Sequence, residues 1–169
     1  MKLDSPRHRP NRFGKYEQIH SSYLDSFVAE GFVGCHNLAF IDYDPYEISL
    51  KGEVACLGHL LITVDKTLEI LEGTGETALV QTVVYDYNVS VRGHGNVLRY
   101  DNCHPRTGHP DDHHKHEFDW RLNEQGEGRV IWVGAANWLT LNQVIMEVKD
   151  WYQHNKKELP EGYPKLGLR

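Results

Sequence analysis

Two stretches of the chain have the apolar spacing of an amphipathic helix. From Tyr16 to Glu30, apolar side chains recur every three or four residues and the stretch ends at Gly31, as in a helix with a glycine cap. Near the other end, residues 140–143 (Thr-Leu-Asn-Gln) fit a capping box, in which the Thr oxygen and the Gln side chain pair with unsatisfied amides. The pattern therefore predicts a helix near each end, the second ending at Leu159-Pro160.

Between the helices, apolar and polar positions alternate as in antiparallel strands with one buried face. Val80 to Arg92 is the longest such stretch, and a glycine-containing turn leads from it to a partner strand over Val97 to Asp101. The other predicted elements are one or two short strands over Phe32 to Lys51, a hairpin over Leu60 to Leu71, a strand over His114 to Arg121 and a last strand over Arg129 to Val133. The prediction is an α+β fold: an antiparallel β-meander of about five strands, flanked by an N-terminal and a C-terminal helix.

Charge divides the chain unevenly. Residues 1–15 carry five basic side chains and one acidic side chain, so a net charge of −6 leaves −10 for residues 16–169. Because Pro6 and Pro10 interrupt the first segment, we interpret residues 1–15 as a flexible basic arm, 16–158 as a single α+β catalytic domain and 159–169 as a C-terminal tail. Proteins that grip long nucleic acid normally present a basic face, so we expect any nucleotide substrate to be short or held locally.

Composition indicates one globular domain. The chain has 169 residues, of which 40% are hydrophobic and 25% charged. Its longest apolar runs are far too short to span a bilayer, and the N-terminus lacks the apolar centre of a signal peptide. Three widely spaced cysteines give neither a disulfide framework nor a C-x-x-C pair, so we expect a cytoplasmic protein with no membrane partner.

Histidine is concentrated in one segment. Residues 104–116 hold five of the chain's 11 histidines. Histidine can give and take protons near neutral pH, and it is also the commonest metal ligand. The segment is therefore the candidate site.

Strand geometry groups the polar side chains of this segment. In a strand that starts at His114, His114 and His116 share one face and Lys115 lies on the other. We predict as catalytic residues His104, His114, His116, Lys115, Asp101 and Tyr100, and as substrate-binding residues Arg99, Asn102, His109 and His113.

This set suits cleavage of an RNA phosphodiester without a metal or other cofactor. One neutral imidazole would take the ribose 2′-OH proton and one protonated imidazole would donate to the leaving 5′-oxygen, each transfer contributing on the order of 10²–10⁴-fold. Lys115 or Arg99 would neutralise the charge on the phosphorane, and Asp101 would fix a histidine tautomer. The products would carry a 2′,3′-cyclic phosphate.

Two other interpretations stay open. The histidines, together with Asp111 and Asp112, could bind Zn²⁺ or Ni²⁺ in a metal- or partner-binding module without catalysis. Their spacing matches no helical metal-binding pair, so this signal is compositional. The segment could also be a solvated structural loop.

The segment resembles a known family. Residues 99–104 (Arg-Tyr-Asp-Asn-Cys-His), a Pro-interrupted loop and residues 113–116 (His-His-Lys-His) resemble the motif of the TumE-like toxins of toxin–antitoxin systems. The resemblance covers about Gly52 to Tyr152 and implies a small cytoplasmic toxin that acts on RNA or nucleotides and is countered by an antitoxin protein. It carries His104, His114, Lys115 and His116 over by position, together with residues 99–102.

The acidic body and the longer N-terminal segment depart from that family. They raise an alternative with the same chemistry on a smaller substrate: a CRISPR-associated ring nuclease that opens cyclic oligoadenylate second messengers. A symmetric homodimer would suit such a ring, because it sets two identical half-sites against one ligand.

Overall fold

The protein folds as a sheet with both helices packed on one face. We describe residues 8–124 and 126–167 of a computed structural model, leaving out the side chain of Tyr43. The elements, in chain order, are β1 (Asn11–Arg12), α1 (Phe13–Ala29), β2 (Val33–His36), β3 (Ala39–Asp44), β4 (Glu47–Cys56), β5 (Leu60–Glu72), β6 (Leu79–Val91), β7 (Asn96–Asp101), β8 (His114–Glu117), β9 (Arg129–Trp132) and α2 (Leu141–Asn155).

The sheet is antiparallel throughout. Its strand order is β2-β4-β5-β6-β7-β8-β9, with β1 added to β6 and β3 to β4. The α+β class and the two terminal helices are therefore confirmed, whereas the sheet has nine strands rather than about five.

The core lies between the sheet and the helices. Leu24 and Phe27 of α1 and Val144 and Ile145 of α2 pack in one cluster with the central strands. From those strands the cluster takes alternate residues: Ile62, Val64, Tyr85, Tyr87, Val89 and Val91. The neighbours Thr63 and Asp65 are exposed, so the opposite face of the sheet is open to solvent at its centre. We call it the open face.

Local patterns located several elements well. Both bonds of the capping box form: Gln143 N donates to Thr140 Oγ1 at 3.3 Å and Thr140 N donates to Gln143 Oε1 at 2.9 Å. α1 begins three residues earlier than predicted, and α2 ends at Asn155 before a short 3₁₀ turn. β6 and β7 lie where the alternation places them, while β8 stops at Glu117.

The predicted hairpin over Leu60 to Leu71 is wrong, because these residues form the single strand β5. A hairpin over these residues requires a turn at Asp65-Lys66. Lys66 instead continues the buried alternation on the helix side, opposite Tyr85, while Asp65 lies on the open face. Residues 32–51 also contain more strands than the one or two predicted, because Pro45 lies in the turn between β3 and β4 and does not interrupt a strand.

Described residues near both termini contact the rest of the domain. Of the arm predicted over residues 1–15, residues 1–7 lie outside the described part, and residues 11–15 belong to β1 and the start of α1. In the tail, Leu159 is buried and Gly167 N donates to Glu53 Oε2 at 2.7 Å. Among the described residues, neither helix combines the length and apolarity needed to cross a bilayer.

His20, buried on the sheet-facing side of α1, predicts a pH dependence of stability. Burial, reinforced by the nearby charges of Lys66 and His36, lowers its pKa from 6.5 to about 4. The unfolded chain therefore binds more protons between those two values, so the neutral ring stabilises the fold fully above pH 6.5 and that contribution is lost as the pH falls towards 4. Between pH 7 and pH 5, we expect the free energy of unfolding of wild type, measured in urea, to fall by about 2 kcal/mol more than that of His20→Gln. Parallel losses in both proteins would contradict this assignment.

Candidate functional site

A cleft on the open face gathers half of the predicted site residues. β7 pairs with β8 in a register that places Arg99 opposite His116 and Asp101 opposite His114. These four side chains and His104 from the following loop line a cleft of about 370 Å³. Loop residues Pro105, Arg106 and Thr107, together with Glu127, complete the lining. We call this the open-face cleft.

Asp101 joins Arg99 and His116 at the base of the cleft. Its Oδ2 accepts from Arg99 Nε at 2.9 Å and lies 3.1 Å from His116 Nε2. His116 Nδ1 lies 2.7 Å from the carbonyl oxygen of Glu127. Asp101 Oδ2 and the Glu127 carbonyl can only accept, whereas Arg99 Nη2, which can only donate, lies 3.3 Å from His116 Nδ1 and 3.4 Å from His116 Nε2. The cluster therefore sets a guanidinium and an imidazole against one buried carboxylate.

His114 is paired with another imidazole. His114 Nε2 and His109 Nδ1 are 2.8 Å apart, so one of these nitrogens donates to the other. His114 is 2% exposed, whereas His109 is half-buried in the loop. The contact connects a buried imidazole of the cleft with an accessible one, a geometry through which a proton can pass.

His104 is the exposed imidazole of the cleft. It lies in the loop after β7, where Pro105 follows it. The next loop residue, Arg106, forms an ion pair with Glu127 across the cleft. This pair connects the histidine loop to the segment before β9.

Tyr100 and Lys115 do not join the cleft. They pair with each other in register, but on the helix side of the sheet. Glu147 of α2 accepts from the Tyr100 hydroxyl at 2.7 Å and from Lys115 Nζ at 2.8 Å. Burial and the neighbouring Glu147 raise the pKa of Tyr100 above its usual value. We therefore remove both residues from the catalytic group, because the sheet separates them from His114 and His116.

Two of the predicted substrate-binding residues have structural partners. Asn102 accepts from Tyr85 N at 2.9 Å and donates to Val83 O at 2.8 Å, which extends the β6–β7 pairing by one residue. His113 Nδ1 lies 2.8 Å from the Tyr85 hydroxyl, and its ring stacks on Trp138. Neither residue lines the open-face cleft, whereas Arg99 does and His109 contacts it through His114.

A row of carboxylates beside the cleft has no signal in the one-dimensional pattern. Asp65, Asp86 and Asp101 form one row across three strands of the open face. Burial and the proximity of Asp101 raise the pKa of Asp86 above its usual value. Alternation alone puts Asp86 on a polar face, but only the strand register reveals the row, which places carboxylates directly beside the cleft.

Asp111 anchors the histidine loop. Burial alone would raise its pKa, but hydrogen bonds from Ala135 N, His113 N and the Trp132 indole lower it below its usual value. Their lengths are 2.8, 3.1 and 3.1 Å. Asp111→Ala leaves these donors without their acceptor, so we expect a loss of about 1–3 kcal/mol in unfolding free energy. The exposed neighbour Asp112→Ala is the control, and equal stability of the two variants would contradict the anchoring role.

The site is identified neither by a metal-binding cluster among the described residues nor by similarity to a known protein. Within the described ranges, no three or more His, Cys, Asp or Glu side chains are arranged to hold a metal ion. No protein-family model matches the chain, and no curated protein or solved structure matches it. The resemblance to TumE-like toxins stays a prediction, and a proposal of function depends on the geometry of the open-face cleft.

Proposed function

We propose that the protein is a metal-independent phosphodiesterase that cleaves RNA-type substrates by attack of a ribose 2′-oxygen in the open-face cleft. One observation supports the proposal: an Arg99–Asp101–His116 cluster shares a single cleft with His104 and His114. Phosphate binding and proton transfer both need groups of these kinds within reach of one phosphorus atom.

Arg99 and His116 would hold the phosphate. A guanidinium and an imidazole N–H donate to phosphate oxygens, and the guanidinium charge stabilises the negative charge that grows on the phosphorane. Asp101 acts as a positioning residue, since it contacts both side chains and is itself buried. We assign His116 to phosphate binding rather than to proton transfer, because both of its ring nitrogens already contact protein groups.

His104 and the His109–His114 pair would move the protons. One neutral imidazole removes the 2′-OH proton, the 2′-oxygen bonds to phosphorus and the bond to the 5′-oxygen breaks. The other imidazole, protonated, gives its proton to that leaving oxygen. The products are a 2′,3′-cyclic phosphate and a 5′-hydroxyl, and the two imidazoles end with their protonation states exchanged.

The row of carboxylates favours a short substrate. Asp65 and Asp86 extend from Asp101 away from the cleft, so an extended polyanion lying along the sheet would meet like charge. This observation favours the second candidate, a ring nuclease acting on cyclic oligoadenylate, over a nuclease that binds long RNA. The homodimer expected for a ring substrate, an antitoxin partner and a cytoplasmic location stay predictions.

The substrate class is tested with a panel in chelator. Linear RNA, the matched DNA and cyclic tri-, tetra- and hexa-adenylate are incubated with the protein in EDTA. We expect RNA or a cyclic oligoadenylate to be cleaved and DNA, which has no 2′-OH, to stay intact. Activity that requires added metal would overturn the proposal. Stoichiometric zinc in the purified protein, with no cleavage of any substrate, would instead favour the binding module.

A further inference from the structure

A second cavity lies on the helix side of the sheet, away from the open-face cleft. It has a volume of about 270 Å³ and lies between α1, β5, the segment before β1 and the start of α2. Lys66 of β5 faces it and is only 5% exposed. Tyr16, His20 and Tyr23 line it from consecutive turns of α1. The cavity is thus built around a buried ammonium group.

Lys66 has no carboxylate to balance its charge. Among the described residues, no acidic side chain forms an ion pair with it, and its closest recorded ring contact is Tyr16, at 5.0 Å from the ring centre. The hydroxyls of Tyr16 and Tyr87 are close enough to hydrogen-bond with the ammonium, but they supply no counter-charge. Burying a charge without a counter-charge is costly. Lys66 is therefore suited to a bound anion.

The charged side chains that line the cavity, among the described residues, are all basic. None of its described lining residues is acidic, although the whole chain carries −6. Arg9 adds a second positive charge at the lining. His20 is uncharged at neutral pH, because burial and the charge of Lys66 lower its pKa to about 4. Lys66 and Arg9 together match the charge of a dianion.

The start of α2 completes the donor set. Thr140, Leu141 and Asn142 line the cavity at the first turn of this helix of 15 residues. The capping box already occupies the amides of Thr140 and Gln143, so the amides of Leu141 and Asn142 are the first-turn donors that lack an intrahelical acceptor. The helix dipole adds partial positive charge there. With the buried Lys66 ammonium, these amides offer the kind of donors that bind phosphate at helix starts.

We propose that this cavity binds a phosphate dianion, either free or as a small phosphomonoester. The ammonium of Lys66 and the first turn of α2 contact the phosphate oxygens, Arg9 faces them from the segment before β1, and the phenols of Tyr16 and Tyr23 donate hydrogen bonds. The site is separate from the open-face cleft, so it acts as a ligand or effector site whatever reaction the cleft performs.

Isothermal titration calorimetry tests the site with inorganic phosphate, ribose 5-phosphate and adenosine 5′-monophosphate, and with adenosine as the uncharged control. We expect all three phosphates to bind and adenosine not to bind. Lys66→Met should weaken phosphate binding at least tenfold. It should keep the fold, because replacing a buried charge by an apolar side chain of similar size is often neutral or stabilising. Lys51→Met makes the same change on the open face, in β4, and should bind phosphate as tightly as wild type does.

Asn142→Asp gives an independent test that keeps Lys66. An acidic residue in the first turn is favourable for α2 itself, so the variant should fold. The added negative charge at the cavity should weaken phosphate binding several-fold. The proposal is overturned if no phosphate binds to wild type, if adenosine binds as tightly as its monophosphate, or if both variants bind like wild type.

Discussion

His116→Gln is expected to lower the rate of RNA or cyclic oligoadenylate cleavage at least a hundredfold. The substitution removes the imidazole donor that, with Arg99, faces the developing phosphorane, and the loss of one such preorganised donor costs about 10²–10³-fold. Because the Gln amide keeps a donor for Asp101 or for the Glu127 carbonyl, the fold should persist. Single-turnover cleavage in EDTA measures the effect, with circular dichroism to confirm folding.

The matched control for this change is His36→Gln, an exposed histidine of β2 that lies outside the cleft. It should cleave at the wild-type rate. If His116→Gln stays within a few-fold of wild type while the protein is folded, His116 does not stabilise the phosphorane.

Asp101→Ala is expected to destabilise the fold by about 3 kcal/mol. It removes the carboxylate that contacts both Arg99 and His116, and it leaves the Arg99 guanidinium without its counter-charge at a site where Asp101 is 3% exposed. Breaking a buried ion pair from one side typically costs 3–5 kcal/mol, and the partial exposure of Arg99 reduces this. Urea unfolding at neutral pH measures the loss.

Asp65→Ala is the control, since Asp65 belongs to the same row of the open face but is exposed and contacts only the solvated Lys51. A surface pair of this kind contributes about 0–1 kcal/mol. If the two alanine variants are equally stable, the Arg99–Asp101–His116 cluster does not hold this part of the sheet together.

Local signals predicted the elements whose formation depends on neighbouring residues. The capping box at Thr140 and the alternation of β6 each describe a structure that forms within a few residues, and both are present. The hairpin predicted in place of β5 is wrong because a lysine among apolar residues indicates a turn in the sequence. In the structure, the space between α1 and the sheet accommodates the Lys66 ammonium. The residues next to Lys66 in sequence do not indicate that α1, which is distant in sequence, places tyrosines beside it.

The candidate site was predicted in part for the same reason. Two-residue periodicity correctly separates Lys115 from His114 and His116, but it does not say which face packs against helices. The register assigns Lys115 and Tyr100 to the side of α2, where Glu147 binds both. The acceptor of His116 Nδ1 is a backbone carbonyl, at Glu127, and a backbone group cannot be recognised from residue types.

The open-face cleft is proposed to drive attack by a ribose 2′-oxygen without a metal. Mass spectrometry of the products formed in EDTA, from whichever RNA or cyclic oligoadenylate is cleaved, tests this chemistry. We expect fragments that end in a 2′,3′-cyclic phosphate or its ring-opened monophosphate, and no cleavage where the attacking ribose is replaced by deoxyribose. Fragments with 3′-hydroxyl ends, or cleavage that persists at the deoxyribose position, would contradict it.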